Sequence, residues 1–277
     1  MNAHTPNMAA LEASPLVEFW NEILAPKFIR YRHILVGGLS RHSAETLPAL
    51  DVRKGDRILD IGFGDTAVAL AKRVAPSGDV IGVDCCQAFL DYAGEHAAYN
   101  RSSNVRFVSR DVEAGLDEGQ FDFVFARFGT MFFASPVGGL RTMRNAMKSG
   151  GRIAHIVWRQ RADNPWLIAA RDVVQSILPK PGEDARTCGP GPFSMADEET
   201  TRAQMKSAGF ADVAFQRIDA KVMVGRTIEE AIAFQLAIGP AGETFREAGA
   251  LGEERRADVE AALTKLFRTV ETNAEGL

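Results

Sequence analysis

The stretch Arg57-Ile-Leu-Asp-Ile-Gly-Phe-Gly-Asp65 is the most informative segment of this 277-residue chain. Its first five residues are largely apolar, as expected of a short buried strand, and the glycines that follow permit a tight turn. Residues 66–74 then show helical periodicity, and Pro76 and Gly78 end that helix. A strand, a glycine turn and a helix in this order are typical of a βαβ unit whose helix start can receive a ligand.

The same alternation of apolar and helical segments continues towards the carboxyl end. It predicts a parallel sheet covered by helices on both faces, because parallel strands need crossover connections. We therefore predict an α/β fold with a Rossmann-like, doubly wound, mostly parallel sheet that binds ligands at the carboxyl ends of its strands. The predicted strands are residues 57–61, 79–83, 104–108, 121–126 and 152–158, and the helices between them are residues 66–74, 87–98 and 136–147.

The flanking regions are predicted to be mainly helical. Residues 15–36 and 40–47 form helices, with a break or kink at Pro26. Ser194 and Asp197 resemble a capping box that opens a helix ending at Gly209. The other predicted segments are a helix over residues 166–178, a loop over 179–193, a strand over 212–218, and helices over 227–236 and 248–270.

These patterns suggest four regions. We expect a disordered terminus over residues 1–14, a helical cap over 15–50 and a cofactor-binding core over 51–160. Residues 161–277 would supply a lid or substrate segment and helices that complete the same domain.

Charge and composition argue against several classes of partner. The formal net charge is −4 and the sequence has no run of Lys or Arg, so nucleic acid is not an expected partner. The sequence contains neither a signal peptide nor an apolar run of membrane-spanning length. Cys85, Cys86 and Cys188 form neither a disulfide pattern nor a metal pattern, which favours reduced thiols in a cytoplasmic protein. We expect a monomer or a homodimer without a metal.

The glycine turn by itself leaves the ligand open. Gly62-x-Gly64-x-x-Ala67 followed by Asp84 also satisfies the fingerprint of dinucleotide-binding enzymes, and a tight turn without a cofactor gives the same pattern. Asp60 favours another ligand, because a carboxylate beside the turn attracts an ammonium group and repels a pyrophosphate. Asp111, at the end of the third predicted strand, is a suitable partner for an adenine amino group.

Two further segments, Phe121-Asp-Phe-Val-Phe-Ala-Arg127 and Met147-Lys-Ser-Gly-Gly-Arg-Ile153, complete a set of four blocks. Together the blocks resemble those of the class I S-adenosylmethionine-dependent methyltransferases, especially the branch related to ubiquinone and menaquinone biosynthesis. The resemblance covers residues 57–158 and extends more loosely through residues 162–166 and 189–193.

The resemblance implies methylation of a small molecule, at carbon or oxygen, with S-adenosylmethionine as cofactor and S-adenosylhomocysteine as product. Quinone-like or aromatic compounds are candidate acceptors. An aromatic ring suits the positive sulfonium of the cofactor. The residues at matching positions are Asp60, Gly62 and Gly64 for the methionine part, Asp84 for the ribose, Asp111 and Val112 for the adenine, and Arg127 and Phe128 for the cofactor or substrate entrance. Phe63 and Phe128 suit either neighbours of the sulfonium or ordinary core residues, and Cys85 is expected beside the ribose or the adenine.

Two departures from the family pattern leave alternatives open. Asp65 stands where the family usually has a third glycine, in a turn that looks shorter than usual. Residues 269–277 show no apolar strand, although the family sheet usually closes with an antiparallel hairpin. The first alternative is a weakened or silent binding protein on the same fold, and the second is an NAD(P)-dependent oxidoreductase.

A general base is not evident from the sequence. His33 and His42 are the candidates, because the N-terminal region often covers the active site in this family. His155 lies within a predicted strand and is expected to be a core residue. Met131-Phe-Phe133 suits either a substrate wall or ordinary packing, and the aromatic residues Trp20, Phe28 and Tyr31 suit either a lid or the core.

Overall fold

The computed structural model describes residues 14–62, 64–273 and 276–277. At its centre is a five-stranded parallel sheet with the strand order β3-β2-β1-β4-β5. The predicted α/β Rossmann-like fold is therefore confirmed. The strands are β1 (Arg57–Ile61), β2 (Asp79–Asp84), β3 (Val105–Ser109), β4 (Phe121–Arg127) and β5 (Met147–Ile156).

The N-terminal region is helical and lies over the carboxyl ends of the strands. Helices α1 (Pro15–Phe19) and α2 (Ala25–Arg30) are joined by a π-helical turn, Trp20–Leu24. This irregular turn directly precedes Pro26, which lacks an N–H donor and confirms the predicted break. Ser14 caps α1 through a hydrogen bond from Val17 N, and the rest of the predicted disordered terminus lies outside the described residues.

The separate helix predicted over residues 40–47 was wrong, because α3 runs without interruption from Arg32 to Thr46. Gly37 and Gly38 do not break it. A Cβ atom on Gly38 would lie 3.0 Å from the carbonyl oxygen of Met223, so this glycine allows close packing of α3 on the segment around that residue. Tertiary contact therefore outweighs the weak helix propensity of the glycine pair.

The helices that connect the strands lie close to their predicted positions. They are α4 (Asp65–Val74), α5 (Gln87–Tyr99) and α6 (Pro136–Asn145). Residues buried to 5% exposure or less fill both sides of the sheet: Ile58 and Phe125 contact the α4 side, and Leu59 and Val124 contact the α6 side. This burial on both faces explains why the strands are nearly continuous apolar runs.

The C-terminal half forms a helical cluster of its own. The helices of this half are α7 (Pro165–Gln175), α8 (Glu198–Ser207), α9 (Ile228–Ala237), α10 (Gly239–Glu247), α11 (Gly249–Glu254) and α12 (Arg256–Phe267). Helix α8 packs on the sheet side beside α6 and not in this cluster. Buried side chains of α7, α9, α10 and α12 pack together with Tyr31 and Ile34. Helix α10 was missed, and the single helix predicted over residues 248–270 is divided between α11 and α12.

Two other local predictions were wrong. The cap of α8 is Asp197, which accepts a hydrogen bond from Thr200 N at 2.8 Å, whereas the Ser194 hydroxyl donates to the carbonyl of Met131. Residues 212–218 do not form a strand; they are mostly exposed and have no ladder partner. Alternation is not sufficient for a strand when no neighbouring strand can satisfy its backbone.

Beyond β5, the described residues contribute no further strand to the sheet. Near the carboxyl end, Leu277 N donates to Gly225 O at 2.8 Å and Val224 N donates to Leu277 O at 2.9 Å, which is a local pairing away from the sheet. Within the described ranges, no helix has both the length and the apolar character needed to cross a membrane.

Candidate active site

A pocket of about 170 Å³ lies at the carboxyl ends of β1, β2 and β4. Its floor is formed by residues at or just after the strand ends: Ile61, Gly62, Val83, Asp84, Cys85, Arg110, Asp111, Val112, Glu113, Arg127, Phe128 and Gly129. Its roof, as we call the part formed by the N-terminal helices, consists of Ser14, Leu16, Val17, Trp20, Phe28, Leu35, Val36 and Leu39. This position is where open α/β sheets bind ligands.

The two glycines of the turn have different roles. Gly62 lines the pocket with φ +125°, a conformation that side-chain-bearing residues rarely adopt. Gly64 has φ +83°, and a Cβ atom on it would lie 2.6 Å from the Cβ of Ala93 on α5. Gly64 therefore allows α4 and α5 to pack closely. It is not among the residues that line the pocket. Phe63, the other predicted residue of this turn, lies outside the described residues.

Asp60 is buried beneath the turn and does not form part of the pocket wall. Its carboxylate oxygens accept the hydroxyl of Thr66, with distances of 2.8 and 3.0 Å. Burial raises the pKa of this carboxyl to about 7, although the Thr66 hydrogen bond opposes the shift. Contact between Asp60 and a cofactor thus stays a prediction.

Asp84 lies at the end of β2 and faces the pocket. Its carboxylate accepts Cys86 N at 2.8 Å. Burial raises its pKa to about 6, against hydrogen bonds from Cys86 and Cys85 that favour the ionised form. Cys85 is the next residue of the wall, and its carbonyl accepts the side-chain amide of Asn21 at 3.0 Å. Asn21 therefore attaches the N-terminal helices to the end of β2.

Asp111 and Val112 lie beside Asp84 in the same wall. The Asp111 carboxylate accepts Glu113 N at 2.9 Å and so begins a short 3₁₀ turn, Val112–Ala114. The Glu113 carboxylate in turn accepts the backbone N–H groups of Ala134 and Ser135 at 2.9 and 2.6 Å. These bonds hold the end of β3 against the start of α6.

Arg127, at the end of β4, forms a buried ion pair with Asp65. Its Nη2 lies 2.6 and 2.7 Å from the two carboxylate oxygens, and its Nη1 donates to the hydroxyl of Ser43 on α3 at 2.9 Å. The two charged side chains are 7% and 11% exposed. Asp65, which replaces the third glycine of the family pattern, therefore neutralises an arginine of the pocket wall.

Phe128 follows Arg127 and has a backbone φ of +55°, which is uncommon for a residue other than glycine. Its ring is stacked on Trp158 at a centroid distance of 4.0 Å. The ring of His42 meets both edge-on, at 5.4 Å from Phe128 and 5.3 Å from Trp158. Strained backbone of this kind is often found at functional sites.

The two histidines proposed as bases do not line the pocket. His33 is partly exposed and pairs with Glu230 at 2.7 Å. His42 is buried behind Phe128, and desolvation lowers its pKa. His155 bonds to the hydroxyl of Thr130 at 3.1 Å, and burial lowers its pKa to about 4.

The sequence left several apolar residues open between a place in the pocket wall and a place in the core, and the structure divides them between the two. Trp20 and Phe28 line the pocket, as do Phe132 and Phe133, and Trp20 packs edge-on against Phe132 at 5.0 Å. Tyr31 instead packs against Phe234 in the C-terminal cluster, and Met131 is buried beside the sheet. Within the described chain, every residue of the pocket wall lies between Ser14 and Phe133.

The structure brings most of the predicted cofactor residues to one wall: Gly62, Asp84, Cys85, Asp111, Val112, Arg127 and Phe128. Sequence reasoning did not anticipate Arg110 and Glu113 in the wall, although both flank the predicted pair Asp111 and Val112. It also missed the contacts of Asn21 and Asp65, because their partners are 64 and 62 positions away in the chain.

Comparison with known proteins supports the interpretation of these blocks. Residues 52–176 match the model of a family described as a methyltransferase domain. The ubiquinone/menaquinone biosynthesis C-methyltransferase UbiE of Ectopseudomonas mendocina (strain ymp) is 29% identical over 220 residues, which cover 75% of this chain and 85% of that protein. The demethylmenaquinone methyltransferase of Staphylococcus carnosus (strain TM300) is 28% identical over 177 residues, which cover 60% and 73%.

Among solved structures, the crystal structure of the [4+2]-cyclase SpnF has a TM-score of 0.51 with 18% sequence identity, covering 83% of this chain and 76% of that one. At this identity the likeness concerns the fold alone.

Proposed function

We propose that this chain, which is a class I S-adenosylmethionine-dependent methyltransferase, methylates a small apolar acceptor in the pocket at the strand ends. The observation that carries the proposal is the pairing of a floor that bears three carboxylates, Asp84, Asp111 and Glu113, with a roof of aliphatic and aromatic side chains. The carboxylates suit the polar groups of a nucleoside, and the roof suits an apolar acceptor.

The floor fits the nucleoside half of S-adenosylmethionine. The Asp84 carboxylate, at the end of the strand next to β1, would accept the ribose hydroxyls. Asp111 and the backbone of Val112, one strand further along, would meet the adenine. When bound, the cofactor supplies a methyl group on a positively charged sulfonium.

The methionine half fits the charged groups near the turn. Its amino acid group carries an ammonium and a carboxylate, and Arg127 and Asp65 present the complementary pair of charges. Asp60 adds a second acid directly below the turn, and Asp65 and Arg127 lie close enough to influence its pKa. We propose that this group of side chains orients the zwitterion, with Arg127 towards the carboxylate.

The aromatic side chains of the pocket favour a flat or ring-containing acceptor. Trp20, Phe28, Phe132 and Phe133 surround the apolar part of the pocket. The acidic wall residues Asp84, Asp111 and Glu113 all accept backbone hydrogen bonds. A carbon or oxygen acceptor that is already activated suits such a pocket, since it needs no strong base from the protein. The C-methyltransferases among the relatives favour carbon.

The roof is expected to open and close during turnover. Ligand pockets usually enclose about 300–1,000 Å³, whereas the present cavity is about 170 Å³. We propose that residues 15–50 move outward to admit cofactor and acceptor. In the closed form they exclude water and align the acceptor with the methyl group, which is the main task in an in-line displacement.

Calorimetric titration with S-adenosylhomocysteine, NAD and NADP would test the cofactor. We expect saturable binding of S-adenosylhomocysteine alone, with raised thermal stability. Methyl transfer would then be measured as S-adenosylhomocysteine release with hydroquinones, naphthols and aliphatic alcohols as acceptors. Binding of NAD instead would favour the oxidoreductase, and cofactor binding without turnover of any ring-containing acceptor would favour the silent protein.

The three free thiols of the described chain agree with the proposed cytoplasmic location. A monomer or homodimer stays part of the proposal.

A further inference from the structure

Three potential metal ligands converge directly after β2. The carboxylate of Asp84 and the sulfur atoms of Cys85 and Cys86 each have a ligand atom within 4.8 Å of the others. Both cysteines are free thiols. The sequence spacing did not signal this arrangement, because adjacent cysteines do not form a familiar zinc-binding pattern.

The backbone around the three residues is held from both sides. Asn21 donates its side-chain amide to Cys85 O at 3.0 Å, and Cys86 N donates to the Asp84 carboxylate at 2.8 Å. Cys86 is fully buried against Ala25 and Phe89. The ligand atoms are therefore oriented before any ion binds, which lowers the entropic cost of coordination.

Two sulfur ligands and one oxygen suit a thiophilic divalent cation. In a tetrahedral zinc site, Zn–S bonds of about 2.3 Å and Zn–O bonds of about 2.1 Å place the ligand atoms roughly 3.6–3.8 Å apart. A closing movement of about 1 Å at most would bring the present cluster to that geometry. Asp84 and Cys85 both line the pocket, so the fourth position would face the pocket interior.

We propose that Asp84, Cys85 and Cys86 form a binding site for a thiophilic divalent cation such as Zn²⁺ or Cd²⁺, and that occupation of this site excludes the methyl-donor cofactor. The second clause rests on the proposed function, because it assumes that Asp84 holds the ribose. Coordination takes up at least one lone pair of the Asp84 carboxylate and neutralises its charge, which makes it a weaker acceptor for the ribose hydroxyls. The site would make methyl transfer sensitive to free thiophilic metal.

Binding must release thiol protons to the solvent, because the thiolate is the ligand. Metal affinity is therefore expected to rise with pH.

The test is a titration of the full chain with Cd²⁺ in the presence of a phosphine reductant. Binding is measured by the thiolate-to-cadmium charge-transfer absorption. We expect one equivalent to bind. Cys85→Ala and Cys86→Ala should each weaken cadmium binding by more than about tenfold. Even residues that only contact the metal ligands typically cost about tenfold in metal affinity when they are replaced. Cys188→Ser is the matched control, because that thiol is free and half-buried like Cys85 but remote from the pocket.

A second arm repeats the titration with saturating S-adenosylhomocysteine, where we expect the apparent cadmium affinity to fall at least tenfold. The proposal is overturned if the absorption is absent, if it persists in both alanine variants, or if bound S-adenosylhomocysteine leaves cadmium affinity unchanged. Failure of S-adenosylhomocysteine to bind would contradict the proposed function alone, because the first arm contains no cofactor.

Discussion

At the scale of single residues, three aspartates close to the strand ends have different environments. Asp60 is buried and bonded to Thr66, Asp84 faces the pocket, and Asp111 begins a 3₁₀ turn. The pKa of Asp60 is raised to about 7 and that of Asp84 to about 6, both mainly by burial. Burying carboxyls that are partly protonated at neutral pH lowers the folding stability of the protein. Such a cost is common at sites that bind a ligand.

Replacing Asp84 should weaken cofactor binding. In Asp84→Asn, one oxygen becomes a donor, so charge-assisted bonds from the ribose hydroxyls are lost at about 1.5–3 kcal/mol. The dissociation constant for S-adenosylhomocysteine should rise about 10- to 150-fold by calorimetry. Asp91→Asn, an exposed carboxyl on α5, is the control. Equal affinities for Asp84→Asn and the control would show that the ribose lies elsewhere.

Replacing Asp60 should stabilise the protein at alkaline pH. Its folded pKa of about 7 lies above its ordinary value of 3.8, so the folded state binds more protons than the unfolded state between these values. The stability that the protonated Asp60 carboxyl contributes is therefore lost as the pH rises through its folded pKa of about 7. Because one pKa unit corresponds to about 1.4 kcal/mol, Asp60→Asn should raise the free energy of unfolding at pH 8 by on the order of 2–4 kcal/mol.

Urea denaturation at pH 5 and at pH 8 measures this effect. The difference between Asp60→Asn and the parent protein should grow with pH, while S-adenosylhomocysteine affinity of the variant falls. A variant that is less stable than its parent at pH 8 would contradict the assignment.

At the scale of elements, β4, α4 and α3 are joined through one arginine. Arg127 extends β4, pairs with Asp65 at the start of α4 and donates to Ser43 of α3. The roof is attached separately, through Asn21 and through Trp20 against Phe132. The two attachments differ in kind: the first is a buried charge pair, and the second combines the Asn21 hydrogen bond with aromatic and apolar contacts, among them Phe28 against Phe89.

Removing one member of the buried pair should cost more than removing both. Asp65→Asn leaves the Arg127 guanidinium without its counter-charge, a change that typically costs about 3–5 kcal/mol. Asp65→Asn combined with Arg127→Met should lose less stability than Asp65→Asn alone. A double-mutant cycle by urea denaturation measures the coupling. Additive losses would mean that the two charges do not interact.

Loosening the roof should expose its backbone to solvent exchange. Asn21→Ala removes the bond to Cys85 O, worth about 1 kcal/mol, so amides of α1 and α2 should exchange about fivefold faster. S-adenosylhomocysteine should slow them in the parent protein. Asn145→Ala, at the exposed end of α6, is the control. Unchanged exchange in the Asn21 variant would argue that other contacts hold the roof closed.

At the scale of the whole molecule, the strand-end pocket and the C-terminal helical cluster are distinct. Side chains of α7, α9, α10 and α12 form that cluster with Tyr31 and Ile34, and none of them lines the pocket in the described chain. The N-terminal helices connect the two regions: Leu35 of α3 lines the pocket and packs against the cluster, and Phe19 of α1 contacts Arg246 of α10. The helical cluster is therefore expected to support the roof from outside and to affect cofactor affinity little.

Creating a cavity in the C-terminal cluster should lower the stability of the protein but leave cofactor affinity nearly unchanged. Phe234 is 2% exposed and packs against Tyr31 at 5.7 Å. Phe234→Ala should lower the free energy of unfolding by about 3–5 kcal/mol and leave S-adenosylhomocysteine affinity of the folded protein within about twofold. Denaturation and calorimetry together check this. A large loss of affinity in folded protein would mean that the cluster positions the pocket directly.

The sequence alone was sufficient for the five strands and for the identity of most floor residues. Strand runs such as Arg57–Ile61 are local patterns, and parallel strands place their carboxyl ends at one edge whatever the loops do. It failed at residues 212–218 and at the continuous α3, where a missing ladder partner and the packing of Gly38 outweigh local pattern.

Tertiary structure decided which side chains near the turn reach the pocket. Asp60 pairs with Gly82 in the parallel register, so Asp60 and Asp84 lie on the same face of the sheet. Asp84 faces the pocket because it lies two residues further towards the carboxyl ends of the strands, whereas Asp60 is buried beneath the turn. The partners of Asp65 and Cys85 lie more than 60 positions away. Such pairs depend on how helices and strands pack together, and no local pattern records that packing.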